Sequence, residues 1–168
     1  MKNLLFPVLL LIFSCTSDQI PPSFDIEKAT AEIMELHELQ RDVHFQKRAA
    51  DFANLLSENH ISVNRGIVST PTIEENTERF TNYFNSVAFK KWDDVKPPVI
   101  RFSDDGSLSY TIVEKEVIVT YEDETGQQIE GTTNFSWVAI YKKYGEEWKI
   151  DCVASTNKPS KEEILNQQ

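Results

Sequence analysis

Hydrophobic and polar positions divide the chain into two halves. From Val99 to Thr156 the pattern is that of strands. Runs rich in Val, Ile, Thr, Tyr, Phe and Trp are separated by Asp104-Asp105-Gly106, Asp123-Glu124-Thr125-Gly126 and Tyr144-Gly145-Glu146-Glu147. Turn residues between such runs predict consecutive antiparallel strands joined by hairpins. The strands are expected at residues 99–102, 108–121, 132–144 and 147–155. In the long second strand Leu108, Tyr110 and Ile112 share one face, while Val117, Val119 and Tyr121 share the other. The alternation breaks at Glu114-Lys115-Glu116. That change of parity predicts a β-bulge, which would bend the sheet sharply.

The first half reads as helix. Ser23 and Asp25 are both candidate N-caps before Ile26. Ile26, Ala29, Ile33, Leu36 and Val43 follow at helical spacing and fall within an arc of about 100°. The register then slips, and Phe45, Ala49, Phe52 and Leu56 form a second stripe. Two helices are therefore expected, at residues 25–44 and 47–58. His60 to Asn64 reads as a short strand ending in the turn Asn64-Arg65-Gly66. Thr72 with Glu75 three residues on forms a capping box for a third helix, whose inner face is Ile73, Asn76, Phe80, Tyr83, Phe84 and Val87. Phe89 to Asp94 reads as a connecting segment, and Pro97-Pro98 stops any helix. The polar tail 158–168 reads as a frayed helix. This layout is α+β: three N-terminal helices packed in a strongly bent antiparallel sheet, closing a conical barrel with one open mouth.

A chain of 168 residues, 40% apolar and 11% aromatic, is enough for one domain with a real core at residues 25–157. Residues 1–14 stand apart. Met1-Lys2-Asn3 is a basic start, and Leu4 to Phe13 is an apolar run broken only by Pro7. That is too short to span a bilayer and suits the core of a signal peptide. It ends in Ile12-Phe13-Ser14-Cys15, which resembles a bacterial lipobox with Cys15 as the lipidated residue. Residues 15–24 then form a polar, Pro-containing tether. The expected location is the cell envelope, with the domain held to a membrane through lipid on Cys15. Cleavage before Cys15 removes Lys2 and takes the net charge from −10 to −11. So acidic a chain is repelled by nucleic-acid backbones, and no nucleic-acid partner is expected. Cys152 is then alone, with no internal disulfide, and reads as a small buried hydrophobe.

Four stretches carry a resemblance. IMELHELQRDVHFQKRAADFANLLSENHISVN, NRGIVSTPTIEENTERF, SYTIVEKEVIVTYED and FSWVAIYKKYGEEWKIDCVAST resemble, in order, four parts of one superfamily. They are the paired helices with the first strand, the turn into the third helix, the long bent strand and the closing hairpin. The superfamily is that of nuclear-transport-factor-2-like and SnoaL-like domains, which includes ketosteroid isomerase. The resemblance implies a cone with a pocket between helices and sheet, and frequent homodimers through the sheet. It settles no function, because the superfamily holds isomerases, cyclases, dehydratases and subunits without chemistry. Ketosteroid isomerase also uses a tyrosine from its first helix, and this chain has none before Tyr83.

The candidate chemistry starts on the first helix, where His37, Gln40 and His44 lie on the margin of the apolar arc. They face either the cone or solvent. An acid from the sheet, Asp151 or Glu114, could pair with one of them, and a His–carboxylate pair is a workable acid–base unit. His44 with Asp151 is the expected catalytic pair if the domain is an enzyme. A ligand pocket would draw on His37, Gln40, Tyr83, Trp92, Tyr110, Glu114 and Trp137, with Trp92 at its mouth. No metal is expected: His37 and His44 are seven residues apart, about 10 Å along a helix, too far to share one ion. No Gly-rich phosphate loop or nucleophile elbow is present, so no cofactor is expected. The first reading is a non-enzymatic envelope lipoprotein binding a small apolar molecule or a protein partner. The alternatives are an acid–base enzyme using His44 and Asp151, and a structural dimerisation subunit.

Overall fold

A computed structural model describes residues 24–165. The helices are α1 (Ile26–Phe45), α2 (Ala49–Asn54) and α3 (Ile73–Ser86). The strands are β1 (Leu56–Asn64), β2 (Ile67–Ser69), β3 (Ala88–Asp94), β4 (Val99–Phe102), β5 (Leu108–Glu122), β6 (Gln128–Tyr144), β7 (Glu147–Asn157) and β8 (Lys161–Ile164). They form one sheet in the order β2-β1-β7-β6-β5-β3, with β4 also on β5 and β8 also on β6. The fold is α+β, with a curled sheet that stays open at β2 and β3. Every pairing is antiparallel except that of β1 with β7. No described helix is long and apolar enough to cross a membrane.

The spine is the β5–β6 hairpin, paired without interruption from Leu108–Lys142 to Glu122–Gln128. Each spine strand carries two shorter strands end to end on its outer edge. β4 pairs with Ser109–Ile112 and β3 with Lys115–Thr120 of β5. β8 pairs with Ile129–Thr132 and β7 with Phe135–Tyr144 of β6. One continuous hairpin thus belongs to two smaller sheets that can face different ways, which is how a single sheet wraps a helix.

No bulge falls at Glu114–Glu116. Ser109, Thr111, Val113, Lys115 and Val117 are all buried, so β5 keeps one inward face through the acidic triplet. Leu108, Tyr110 and Ile112 point outward instead, beside Val138 and Ile140 of β6. The register shifts lie in the neighbours. Lys90 is the extra residue of β3, between Phe89–Val119 and Lys91–Ile118. Asp151 is the extra residue of β7, between Ile150–Tyr141 and Cys152–Ile140.

The helix starts follow local chemistry. Asp25 caps α1, its carboxylate accepting from Lys28 N at 3.0 Å. Thr72 and Glu75 form the expected reciprocal capping box on α3, at 3.2 and 2.8 Å. The second helix ends earlier than its stripe suggests, at Asn54, because Leu56 already pairs with Ile150 of β7. Phe89–Asp94 is strand rather than connector. The tail forms β8 rather than helix, pairing Ile164 with Ile129.

The core joins Ala29 and Ile33 of α1 to Leu56, Ala139, Tyr141, Trp148 and Ile150 of the sheet. Phe24 packs against this core, and its ring meets Phe102 edge-on at 5.2 Å. Cys152 is half-buried beside the bulge rather than enclosed. The expected leader and the lipidated Cys15, within residues 1–23, lie outside the described residues.

Candidate functional site

Helix α1 buries Ala29, Ile33, His37, Gln40, Val43 and His44. Ile26, placed on the inner arc by pattern alone, is 58% exposed. Ile26 lies five turns before His44 on the same side of the helix, so its exposure reflects its place in the first turn; the buried residues span an arc of about 120°, with Gln40 near its centre and His37 at one edge. Buried polar groups need partners, and each of the three has one.

His44 sits in an aromatic cage. Trp92 stacks on it at 4.5 Å between ring centroids, and Phe52, Phe84 and Phe89 approach at 4.8, 4.9 and 5.4 Å. Its Nδ1 lies 2.6 Å from the Gln40 carbonyl oxygen. A carbonyl only accepts, so Nδ1 carries the proton and Nε2 holds a free lone pair. Burial drives the pKa down to about 4, against the Gln40 carbonyl, which pulls it up. The ring is thus a neutral acceptor at physiological pH. His60 on β1 follows the same logic: Nδ1 donates to the Ile150 carbonyl at 3.2 Å, and burial lowers the pKa. Gln40 donates to Leu36 O at 3.3 Å and to the Tyr141 hydroxyl at 3.2 Å.

Behind the Trp92 ring lies a charged network linking α1, β3 and β5. His37 Nε2 is 2.7 Å from Asp94 Oδ2, and Lys115 Nζ is 2.8 Å from Asp94 Oδ1. Only 2% of the Lys115 side chain is exposed. Its ammonium also lies 3.6 Å from the centre of the Trp92 ring and 5.8 Å from that of Trp137. Burial lowers the Lys115 pKa, with Asp94 opposing. Burial pushes the Asp94 carboxyl up, but hydrogen bonds from Lys115 and His37 outweigh it and leave the carboxyl below its usual range. The network holds Trp92 from one side while His44 stacks on the ring.

These elements enclose a cavity of about 400 Å³ that opens to solvent. Its apolar walls are Phe52, Leu56, Phe80, Trp92, Val117, Phe135, Trp137, Ile150 and Val153. Gln40, His44, His60, Ser62, Asn64, Arg79, Tyr83 and Ser155 supply its polar groups. Arg79 and Tyr83 are both exposed and lie four residues apart on one face of α3, at the open side. A cavity of this size and lining is that of a small-molecule site.

The sequence-predicted residues divide as follows. Gln40, His44, Tyr83, Trp92 and Trp137 meet on the cavity wall. Trp92 is mid-strand and 6% exposed, so it forms the wall rather than the mouth. His37 is buried behind that wall with Asp94. Tyr110 is on the outer face of the sheet, 42% exposed, because β5 keeps its phase. Glu114 also points outward and pairs with Lys96 at 2.9 Å. Asp151 is not on the wall and does not pair with His44. As the extra residue of the β7 bulge it turns toward Ser57 and Tyr144, whose hydroxyls donate to its Oδ1 at 2.8 and 2.6 Å. Asp94, Lys115, His60 and Arg79 were missed. Lys115 was readable as an inward residue by its two-residue spacing from Val113 and Val117, and Arg79 by its place one turn before Tyr83. Among the described residues no group of three or more His, Cys, Asp or Glu is placed to hold a metal ion.

No protein-family model matches the sequence, and no curated protein does. Solved structures do. A protein from Kribbella flavida superposes with a TM-score of 0.68 at 13% identity, over 82% of this chain and 95% of that one. A hexachlorocyclohexane dehydrochlorinase, LinA type 2, gives 0.62 at 12% identity, over 83% and 90%. An NTF2-like protein from Cytophaga hutchinsonii gives 0.58 at 14% identity, over 79% and 98%. At these identities the likeness is one of fold. It covers nearly the whole of each neighbour, and it matches the helices and curled sheet described above. The chain is thus an α+β domain of the NTF2-like, SnoaL-like cone fold.

Proposed function

We propose that this domain binds a small, largely apolar molecule inside the cone, and that the protein is held at the cell envelope by lipid on Cys15. The observation that carries the binding reading is the open cavity of about 400 Å³ with aromatic walls and neutral imidazoles. Binding is favoured over proton abstraction for a physical reason. A general base works best with a pKa near the operating pH, and His44, at about 4, is a weak base whose Nδ1 proton is held by a backbone carbonyl rather than a carboxylate. An imidazole of that kind is a good hydrogen-bond acceptor for a ligand hydroxyl or N–H.

The test is titration of the whole chain with phenylnaphthylamine, an uncharged fluorophore with one N–H, followed by calorimetry. The expected result is saturable one-to-one binding that is lost when the cavity is filled by Val117→Phe or by Ser155→Phe. Binding that survives both substitutions in folded protein places the probe elsewhere and refutes the reading. The anchor rests on the Leu4–Phe13 run and Ser14-Cys15. Mass spectrometry of protein from the membrane fraction is expected to find a diacylglyceryl-modified Cys15 at the N-terminus, and Cys15→Ala to release the domain.

A further inference from the structure

The cavity wall has an electrostatic sign opposite to that of the protein. The chain carries 27 acidic and 17 basic residues, for a net charge of −10. The residues lining the cavity include no Asp or Glu and one permanent cation, Arg79. Among the described residues no carboxylate lies within 4.0 Å of the Arg79 guanidinium, whereas ten other ion pairs form elsewhere. Its hydrogen-bond partner is neutral, the Asn76 side-chain oxygen at 2.8 Å, and its charge lies over the Phe80 ring at 4.6 Å. Asn76 is fully buried and engages one edge of the fork. A guanidinium presents five N–H donors, so most of the fork remains for a ligand.

The other polar groups of the lining divide into donors and acceptors. Donors stand at the open side: the Arg79 fork and the Tyr83 hydroxyl one turn on. His44, His60 and Gln40 supply acceptors. His44 and His60 each spend the Nδ1 proton on a backbone carbonyl, which leaves both Nε2 atoms as acceptors. Gln40 spends its amide N–H bonds on Leu36 and Tyr141. Phe80, Trp92 and Trp137 give the same cavity an aromatic lining.

We infer that the ligand of this cavity is an aromatic or polycyclic carboxylate with a hydroxyl on its far side. Its carboxylate pairs with Arg79, its ring body lies against the aromatic lining, and its hydroxyl donates to the His44 Nε2. This rests on the binding reading above and names the class of ligand for the same site. The planar fork of Arg79 suits two carboxylate oxygens at once, which a lysine at that place would not.

The experiment compares three probes on the whole chain by calorimetry: hydroxynaphthoate, its methyl ester, and naphthoate without the hydroxyl. The acid is expected to bind about tenfold or more tightly than the ester, since a charge-assisted hydrogen-bonded pair is at stake. Naphthoate is expected to bind several-fold more weakly than hydroxynaphthoate. In Arg79→Gln, with its urea midpoint checked against the parent, the acid-to-ester ratio is expected to fall toward one. An ester that binds as tightly as the acid, or a ratio that Arg79→Gln leaves intact, overturns the carboxylate assignment. Equal binding of the two acids overturns the hydroxyl. Phenylnaphthylamine keeps the two readings apart: if it binds in the cavity while the acid shows no preference, this inference alone fails, and if nothing binds, both do.

Discussion

The buried pair of Asp94 and Lys115 gives the sharpest test of how the cavity wall is held. Asp94→Asn keeps the shape of the side chain and removes its charge. The Lys115 ammonium, 2% exposed, then sits against Trp92 without its hydrogen-bonded counter-ion, with only the more distant Asp93 carboxylate left to offset it. Breaking a buried pair from one side costs about 3–5 kcal/mol. Two features pull the figure to the low end. The Asp94 side chain is 24% exposed, so the pair is not fully dry. The Trp92 face also stays in place, and a desolvated cation over an indole retains about 2 kcal/mol of attraction. The expected loss is about 3 kcal/mol. Lys115→Met leaves Asp94 partly solvated and still bonded to His37, and is expected to cost less, about 1–2 kcal/mol. The double substitution removes both charges and fills the same volume with apolar atoms, so it is expected to recover about 2 kcal/mol relative to the sum.

Urea denaturation followed by far-UV circular dichroism reads all four proteins. With a slope of about 2 kcal/mol per molar, Asp94→Asn lowers the midpoint by about 1.5 M. Glu114→Gln, which breaks the exposed pair with Lys96, is the control and is expected to leave the midpoint unchanged. A loss for Asp94→Asn no larger than the control's refutes the reasoning. So does a coupling between the two sites below about 0.5 kcal/mol. Either result would mean that Trp92 is held by packing alone.

Two further outcomes follow from the same geometry. The folded pKa of His44 is lowered from 6.5 to about 4, so its contribution to stability is fully present above pH 6.5 and is lost as pH falls toward 4. Between pH 7 and 4.5 this amounts to about 2 kcal/mol; His44→Phe is expected to flatten that part of the pH–stability curve, and an unchanged curve would show that the ring is not buried as a neutral group. Gly106 has φ +68°, and a Cβ there would run into the Phe24 ring, whereas Gly126, at φ +84°, has only Glu122 Oε1, at 3.9 Å. Gly126→Ala is expected to cost about 1 kcal/mol from backbone strain. Gly106→Ala adds the displacement of Phe24, for about 2 kcal/mol in all, and equal urea midpoints for the two variants would refute the close packing of Phe24.

Much of the fold was legible because its signals are local. The capping box at Thr72 and Glu75, the three hairpin turns and the alternation of β6 depend on residues close in sequence, and local chemistry decides them. The elements that differ from their sequence pattern depend on partners far away. Phe89–Asp94 has no strand signature of its own; it becomes a strand because β5 offers an unpaired edge. Leu56 belongs by spacing to a helical stripe, yet it pairs with Ile150, about ninety residues on. Asp151 appeared free to reach His44 until the bulge in β7 turned it toward Ser57 and Tyr144.

The remaining errors share one cause, and it bears on function. Reading a pattern assumes that apolar residues point in and polar ones out. That assumption put Ile26 inside α1 and left His37, Gln40 and His44 at its edge. It put Leu108, Tyr110 and Ile112 inside β5 and made Lys115 a break in the strand. In the structure the inward positions of both elements carry the polar groups: His37, Gln40 and His44 from α1, and Ser109, Thr111 and Lys115 from β5. Gln40 and His44 reach the cavity and His37 and Lys115 brace the Trp92 wall, whereas Ser109 donates to the Arg101 carbonyl of β4. Burying such groups costs stability unless each is paired, and an apolar filling would have been simpler for folding alone. Local rules and the fold disagree most where a site is built. The places where the hydrophobic pattern misled are thus the ones that outline the candidate site.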